Sequence, residues 1–146
     1  MDFSSRYDFE HIDALGFELT TTGFRIVLDP SIPDHIARAI GDTVEELLAR
    51  HELTPADVHT WCLHPGGSRI LDAAQRALGL SDEQLVPSRR VLRSHGNMSS
   101  PSVLFVLAEA LAHRPPPPGA WGLLAAFGPG LGIEVCLVQF APGNAA

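Results

Sequence analysis

Apolar residues recur along this chain with two alternating periods, and the switches between them mark out its elements. In "LGFELTTTGFRIVLD" (15–29), Phe24, Ile26 and Leu28 alternate with Arg25 and Val27, which predicts two short strands around a Thr-rich turn ending at Gly23. In "PDHIARAIGDTVEELLARH" (33–51), Ile36, Ile40, Val44, Leu47 and Leu48 fall at helical spacing. Pro33 stands near its start, where a missing N–H costs little. "VHTWCLH" (58–64) reads as an apolar strand, and "SRILDAAQRALG" (68–79) as a helix closed by Gly79. "SDEQLV" predicts a short turn capped by Ser81, and "PSRRVLRSHGN" a brief helix ending near Gly96. "SPSVLFVLAEALAHR" (100–114) is apolar almost all round, which predicts a helix buried on most faces. After the four prolines of "RPPPPG", a stiff surface loop, "WGLLAAFG" and "IEVCLVQF" predict two closing strands around "PGLG".

Helices interleaved with apolar strands predict one layered α/β domain over residues 15–141. Residues 1–14 are polar and aperiodic, and are expected to be a loop or the frayed start of a larger chain, with 142–146 a C-terminal tail. No internal repeat is present.

The 146 residues are 45% hydrophobic and 18% charged, as expected of a globular domain with a sizeable core. A net charge of −7 argues against nucleic-acid or anionic-membrane partners, which need a basic patch. All ten basic residues are Arg, so no lysine is available for Schiff-base chemistry. Cys62 and Cys136 each lie in an apolar run, the usage of buried thiols in a reducing compartment; with no signal peptide or membrane-length apolar stretch, the cytoplasm is the expected location.

Candidate chemistry begins at "WCLHPGGSRILDAA" (61–74). A strand that turns through glycines into a helix delivers its last side chain, His64, to the carboxyl edge of a sheet, where open α/β sheets put their sites. Gly66 and Gly67 permit close approach to the backbone, and Ser68 is placed to cap the helix. A histidine there can be base, donor, metal ligand or a capped structural residue. "SHGNMSSPSVLF" (94–105) places Asn97 in a similar position before a long helix, with Ser99 and Ser100 available as caps. Paired with His64, Asn97 supplies a second neutral hydrogen-bond donor of the kind an oxyanion hole needs. "AFGPGLG" (126–132) superficially matches a dinucleotide fingerprint, but a strand follows it, so it reads as a tight turn.

Cys62 shares a strand face with His64 at roughly 7 Å spacing. Its setting between Trp61 and Leu63 marks a core thiol rather than a nucleophile. Cys62, His64 and His59 lack a fourth ligand at a matching spacing, and no metal site is expected. His95 reads as a helix-terminus residue. Arg89, Arg90 and Arg93 read as a solvated basic face.

"WCLHPGGSRILDAAQRALGL", "VLRSHGNMSSPSVLFVLAEAL" and "AFGPGLGIEVCLVQF", in that order, resemble the C-terminal half of the type III polyketide synthases, the chalcone and stilbene synthase family. The resemblance runs from about Leu15 to Phe140. It implies a thiolase-like half, a layered mixed sheet with helices packed on it. It implies that His64 and Asn97 are the histidine and asparagine of a Cys-His-Asn triad, acting in decarboxylative condensation of malonyl-CoA with a starter acyl-CoA. Gly66, Gly67, Arg69 and Ser99 then match substrate and coenzyme A positions, with Arg69 standing where a small residue is common. Phe127, Gly128 and Pro129 match the loop shaping the cyclisation cavity, whose usual first glycine is Ala126 here. The nucleophilic cysteine is expected from an N-terminal half outside this chain, the complete enzyme is expected to be a homodimer, and no cofactor is expected beyond the coenzyme A thioesters themselves. Two other readings fit the same residues: a non-catalytic module that dimerises with or regulates a full-length synthase, and a ketoacyl-carrier-protein synthase III-like domain.

Overall fold

The computed structural model describes residues 1–141; the expected tail at 142–146 lies outside them. The elements run β1 (Asp2–Tyr7), β2 (Leu15–Thr20), β3 (Gly23–Leu28), α1 (Ile32–Ala49), β4 (Val58–Leu63), α2 (Ser68–Leu78), α3 (Val86–His95), α4 (Ser102–His113), β5 (Trp121–Gly128) and β6 (Gly132–Gln139). Four strands form a mixed sheet in the order β1-β6-β5-β4, with β4 and β5 parallel and the other pairs antiparallel. The expected layered α/β fold is the one observed.

The sheet has helices on both faces. Trp61, Leu63, Leu123, Ala125, Val135 and Leu137 point to one face and pack against the apolar stripe of α1 and Leu71 and Ala74 of α2. Cys62 and Leu124 point to the other and meet Val91 of α3 and Val106 and Ala110 of α4. Coverage of β4 on both faces explains the apolar run Trp61–Leu63 at its end.

Residues 1–14 correct an expectation. Asp2–Tyr7 is an edge strand paired antiparallel with β6, from Asp2 opposite Leu137 to Tyr7 opposite Gly132. Main-chain bonds hold it there while Ser4, Ser5 and Arg6 face partly outward, so no apolar alternation announces it. A 3₁₀ turn, Phe9–Ala14, follows, capped by the Asp8 carboxylate.

The predicted hairpin, β2–β3, is a separate two-stranded sheet. Its register sets Leu15 opposite Leu28, Phe17 opposite Ile26 and Leu19 opposite Phe24, gathering all six apolar side chains on one face. That face is open: five of the six are between 61% and 79% exposed. The helix α4 also departs from expectation. Only Ser102, Val106 and Ala110 are buried, because α4 rests on the sheet along one stripe; Leu104, Phe105 and Leu111 face outward. Beside α4 the sheet itself is bare, and Phe3, Val103, Leu124, Ala126 and Cys136 line an open depression of about 290 Å³. Among the described residues no helix is long and apolar enough to cross a membrane.

Candidate active site

Because β4 and β5 are parallel, both carry their carboxyl ends to the same edge of the sheet. The His64 N–H donates to the Ala125 carbonyl at 2.8 Å, extending the ladder one residue beyond β4. The chain then turns sharply, with the Gly66 N–H donating to the His64 carbonyl at 2.9 Å. Space, rather than backbone angle, explains Gly66: a Cβ there would lie 3.1 Å from Ile70 Cδ1, 3.5 Å from His64 Cδ2 and 3.7 Å from His64 Nε2. At Gly67 a Cβ would meet nothing within 4 Å, so this backbone is open to an approaching group. Gly67, not Ser68, is the N-cap of α2; Ser68 is already helical and makes no side-chain cap.

Asn97 comes to the same corner from the loop between α3 and α4. Its Oδ1 accepts the Ser99 N–H at 2.9 Å, and its Nδ2 donates to the Gly66 carbonyl at 3.3 Å. The two bonds together fix which end of the amide points where: oxygen to its own loop, nitrogen to the carbonyl of Gly66. The two residues predicted from separate motifs converge on Gly66. Ser99, at φ 63°, is held left-handed by this turn, with its side chain exposed. The expected capping by Ser99 or Ser100 hydroxyls is not observed. The cap is Pro101, and Ser102 Oγ accepts the Met98 N–H at 2.8 Å instead.

The His64 side chain is 7% exposed, and burial pushes its pKa below the ordinary value of 6.5. The imidazole is therefore neutral at neutral pH and presents one N–H. Cys62 is fully buried, and desolvation pushes its thiol up to about 12. Cys136, on β6, is raised for the same reason. Neither thiol has the electropositive, accessible setting of a nucleophile.

Phe127 and Gly128 end β5, and Pro129 opens the turn to β6, closed by the pair Gly128–Gly132. The Gly130 N–H donates to the Leu15 carbonyl at 2.8 Å, fastening this turn to the base of the hairpin. Arg69 is not brought to the pair: its Nη2 donates to the Pro30 carbonyl at 3.4 Å, toward the start of α1. Arg89 and Arg90 are not merely solvated. Arg89 bonds Asp72 and Gln75 of α2 at 2.8 and 2.7 Å, and Arg90 bonds Glu109 of α4 at 2.9 Å. His95 ends α3 against the Phe105 ring, as its position predicts. His59 lies at the opposite end of β4 from His64, bonded to Thr60.

Comparison with known proteins places the chain in a family. Residues 10–142 match the profile described as chalcone and stilbene synthases, C-terminal domain, and the chain belongs to that family. It is 43% identical over 133 residues to a 1,3,6,8-tetrahydroxynaphthalene synthase of Streptomyces peucetius subsp. caesius, covering 91% of this chain and 35% of that protein. It is 35% identical over 133 residues to a 3,5-dihydroxyphenylacetyl-CoA synthase of Streptomyces toyocaensis, covering 90% of this chain and 34% of the relative. The solved 1,3,6,8-tetrahydroxynaphthalene synthase of Streptomyces coelicolor A3(2) superposes with a TM-score of 0.90 at 29% identity, over 97% of this chain and 40% of that one. The C-terminal type III polyketide synthase domain of Steely1 from Dictyostelium gives 0.88 at 30%, over 97% and 40%. The chain spans little more than a third of the length of the curated relatives it matches.

Proposed function

We propose that this chain supplies the oxyanion-stabilising pair, His64 and Asn97, of a type III polyketide synthase. The observation that carries this reading is the convergence of the two side chains on Gly66. Two neutral donors meet at one corner: the Asn97 nitrogen bonds the Gly66 carbonyl, and the buried His64 ring packs beside Gly66. Such preorganised donors stabilise charge that develops on a carbonyl oxygen.

In this reading a starter acyl-CoA transfers its acyl group to a cysteine thiolate outside the chain, releasing free coenzyme A. Malonyl-CoA then binds with its thioester oxygen between His64 Nε2–H and Asn97 Nδ2–H. Loss of carbon dioxide leaves an enolate, whose negative oxygen the two donors hold. Its carbon attacks the acyl thioester, the new oxyanion collapses, and the C–S bond breaks to return the thiolate and a chain longer by two carbons. Gly67, unobstructed, lies along the pantetheine arm; Ser99 faces the starter pocket; and the Phe127–Pro129 turn bounds the cavity. The exposed apolar surface of α4 and its neighbouring sheet is the seat of the cysteine-bearing half, and the complete enzyme is a cytoplasmic homodimer.

The test is His64→Ala and Asn97→Ala in the complete synthase, with malonyl-CoA decarboxylation as readout. Removal of one oxyanion donor costs about 10²–10³ in rate. Parental rates in both variants would refute the assignment. The chain alone, lacking a competent thiol, should show no acyl adduct by intact mass after incubation with acyl-CoA.

A further inference from the structure

Far along the chain from the His64 corner, three side chains capable of binding a metal meet. Asp8 and His11 come from the 3₁₀ turn after β1, and His35 from the first turn of α1. His35 is buried, at 7% exposed. His11 Nδ1 lies 3.0 Å from Asp8 Oδ2, His35 Nδ1 lies 3.3 Å from the same oxygen, and the two imidazole centroids are 3.9 Å apart. All three ligand atoms lie within 4.8 Å of one another. Bonds of about 2.0–2.1 Å to a tetrahedral zinc-type ion hold neighbouring ligand atoms about 3.4 Å apart, so small rotations close the set.

The Nδ1 of His35 accepts a hydrogen bond from Arg38 Nη2 at 2.8 Å, with an Asp8 carboxylate oxygen 3.3 Å away. The lone pair that a metal would take is therefore held by a guanidinium hydrogen. Arg38 is an exposed side chain on α1, and once it swings outward an ion can seat on both Nδ1 lone pairs and the carboxylate. Beside the cluster is an open cleft of about 350 Å³ lined in part by Arg6, Tyr7, Glu10 and His35, which leaves room for further ligands on the ion.

The geometry points to a divalent transition-metal site formed by Asp8, His11 and His35, against the expectation that the chain holds none. Two imidazoles and one carboxylate suit zinc or cobalt.

The test is a Co²⁺ titration of the EDTA-treated chain, read by visible absorption, with Zn²⁺ competition. Wild type should bind one equivalent saturably. His11→Ala, a surface change, and Asp8→Asn should each weaken binding by at least the about 10–100-fold that loss of an outer-sphere partner costs. Arg38→Gln, which removes the competing cation, should tighten binding, a gain that no damage to folding can produce. Circular dichroism checks each variant's fold. No saturable binding to the wild type, undiminished binding to His11→Ala, or no gain in Arg38→Gln would each overturn the proposal. These readouts involve no condensation chemistry, so they stand apart from the assignment of His64 and Asn97.

Discussion

Gly66→Ala separates the space that the candidate site needs from the stability that the fold needs. Gly66 lies outside the left-handed region, so alanine meets no backbone penalty there. Its new methyl would stand 3.1 Å from Ile70 Cδ1, the far end of a flexible side chain that yields by a few tenths of an ångström. Overpacking of this mild kind costs about 1 kcal/mol, which in a domain of this size lowers Tm by about 2–4 °C. The same methyl would lie 3.7 Å from His64 Nε2. A thioester oxygen hydrogen-bonded to that nitrogen at about 2.9 Å has to share the same volume. The carbonyl is then displaced from the donor, and decarboxylation should fall by about 10²–10³, as if the donor itself were lost. Melting curves of the chain and carbon dioxide release from malonyl-CoA by the complete synthase measure the two effects independently. A parental rate would refute the proposed approach to Nε2, and unfolding at 25 °C would show that Gly66 serves the backbone instead.

Three further outcomes are expected. Burial lowers the His64 pKa, so the unfolded chain binds the extra proton: the resulting stability is present above pH 6.5 and is lost as pH falls through the depressed folded value. Urea titrations from pH 7 to 5 should therefore show a shallower loss in His64→Gln than in wild type, by up to about 1.4 kcal/mol per pH unit; equal slopes would contradict it. With its thiol at about 12, Cys62 should resist iodoacetamide in the native chain at pH 8 while the less buried Cys136 reacts first; peptide mapping decides, and preferential labelling of Cys62 would contradict the burial argument. With its apolar faces exposed the chain should self-associate, and Leu104→Glu with Phe105→Glu, both outward-facing on α4, should make it more monodisperse in light scattering and abolish assembly with the proposed cysteine-bearing half; unaltered self-association would place the sticky surface elsewhere, the open hairpin face first.

The elements best legible in the sequence were those whose period and punctuation agreed. The run from Val58 to Leu63, the two glycines and the amphipathic stripe of α2 sufficed to place His64 at a strand end, and α1 and the hairpin were equally plain. β1 was not legible because an edge strand is recruited by the main chain of β6 and needs no apolar alternation. The composition of α4 is that of a buried helix, although the described residues cover only one stripe of it. Within the site, the position of Asn97 before a helix was visible, but the direction of its amide was not, since that depends on the Gly66 carbonyl 31 residues away. The Asp8–His11–His35 cluster carries no spacing signal: its third member, His35, is brought in by the packing of α1 beside β1, a tertiary event.

The two proposed donors are anchored unequally, and this bears on how the candidate site fails. The amide of His64 belongs to the parallel ladder with Ala125 and should exchange its hydrogen only when the sheet opens. Asn97 belongs to a loop held mainly by side-chain bonds, at 2.9 and 3.3 Å from Asn97 and from Met98 to Ser102, with backbone bonds only at its two ends, Gly96 to Leu92 and Ser102 to Ser99. Opening the stretch from Gly96 to Pro101 withdraws one donor and leaves the sheet intact. On the proposed function, warming should therefore silence the complete synthase some degrees below the temperature at which its secondary structure melts, with deuterium entering the 96–101 backbone well before it reaches His64.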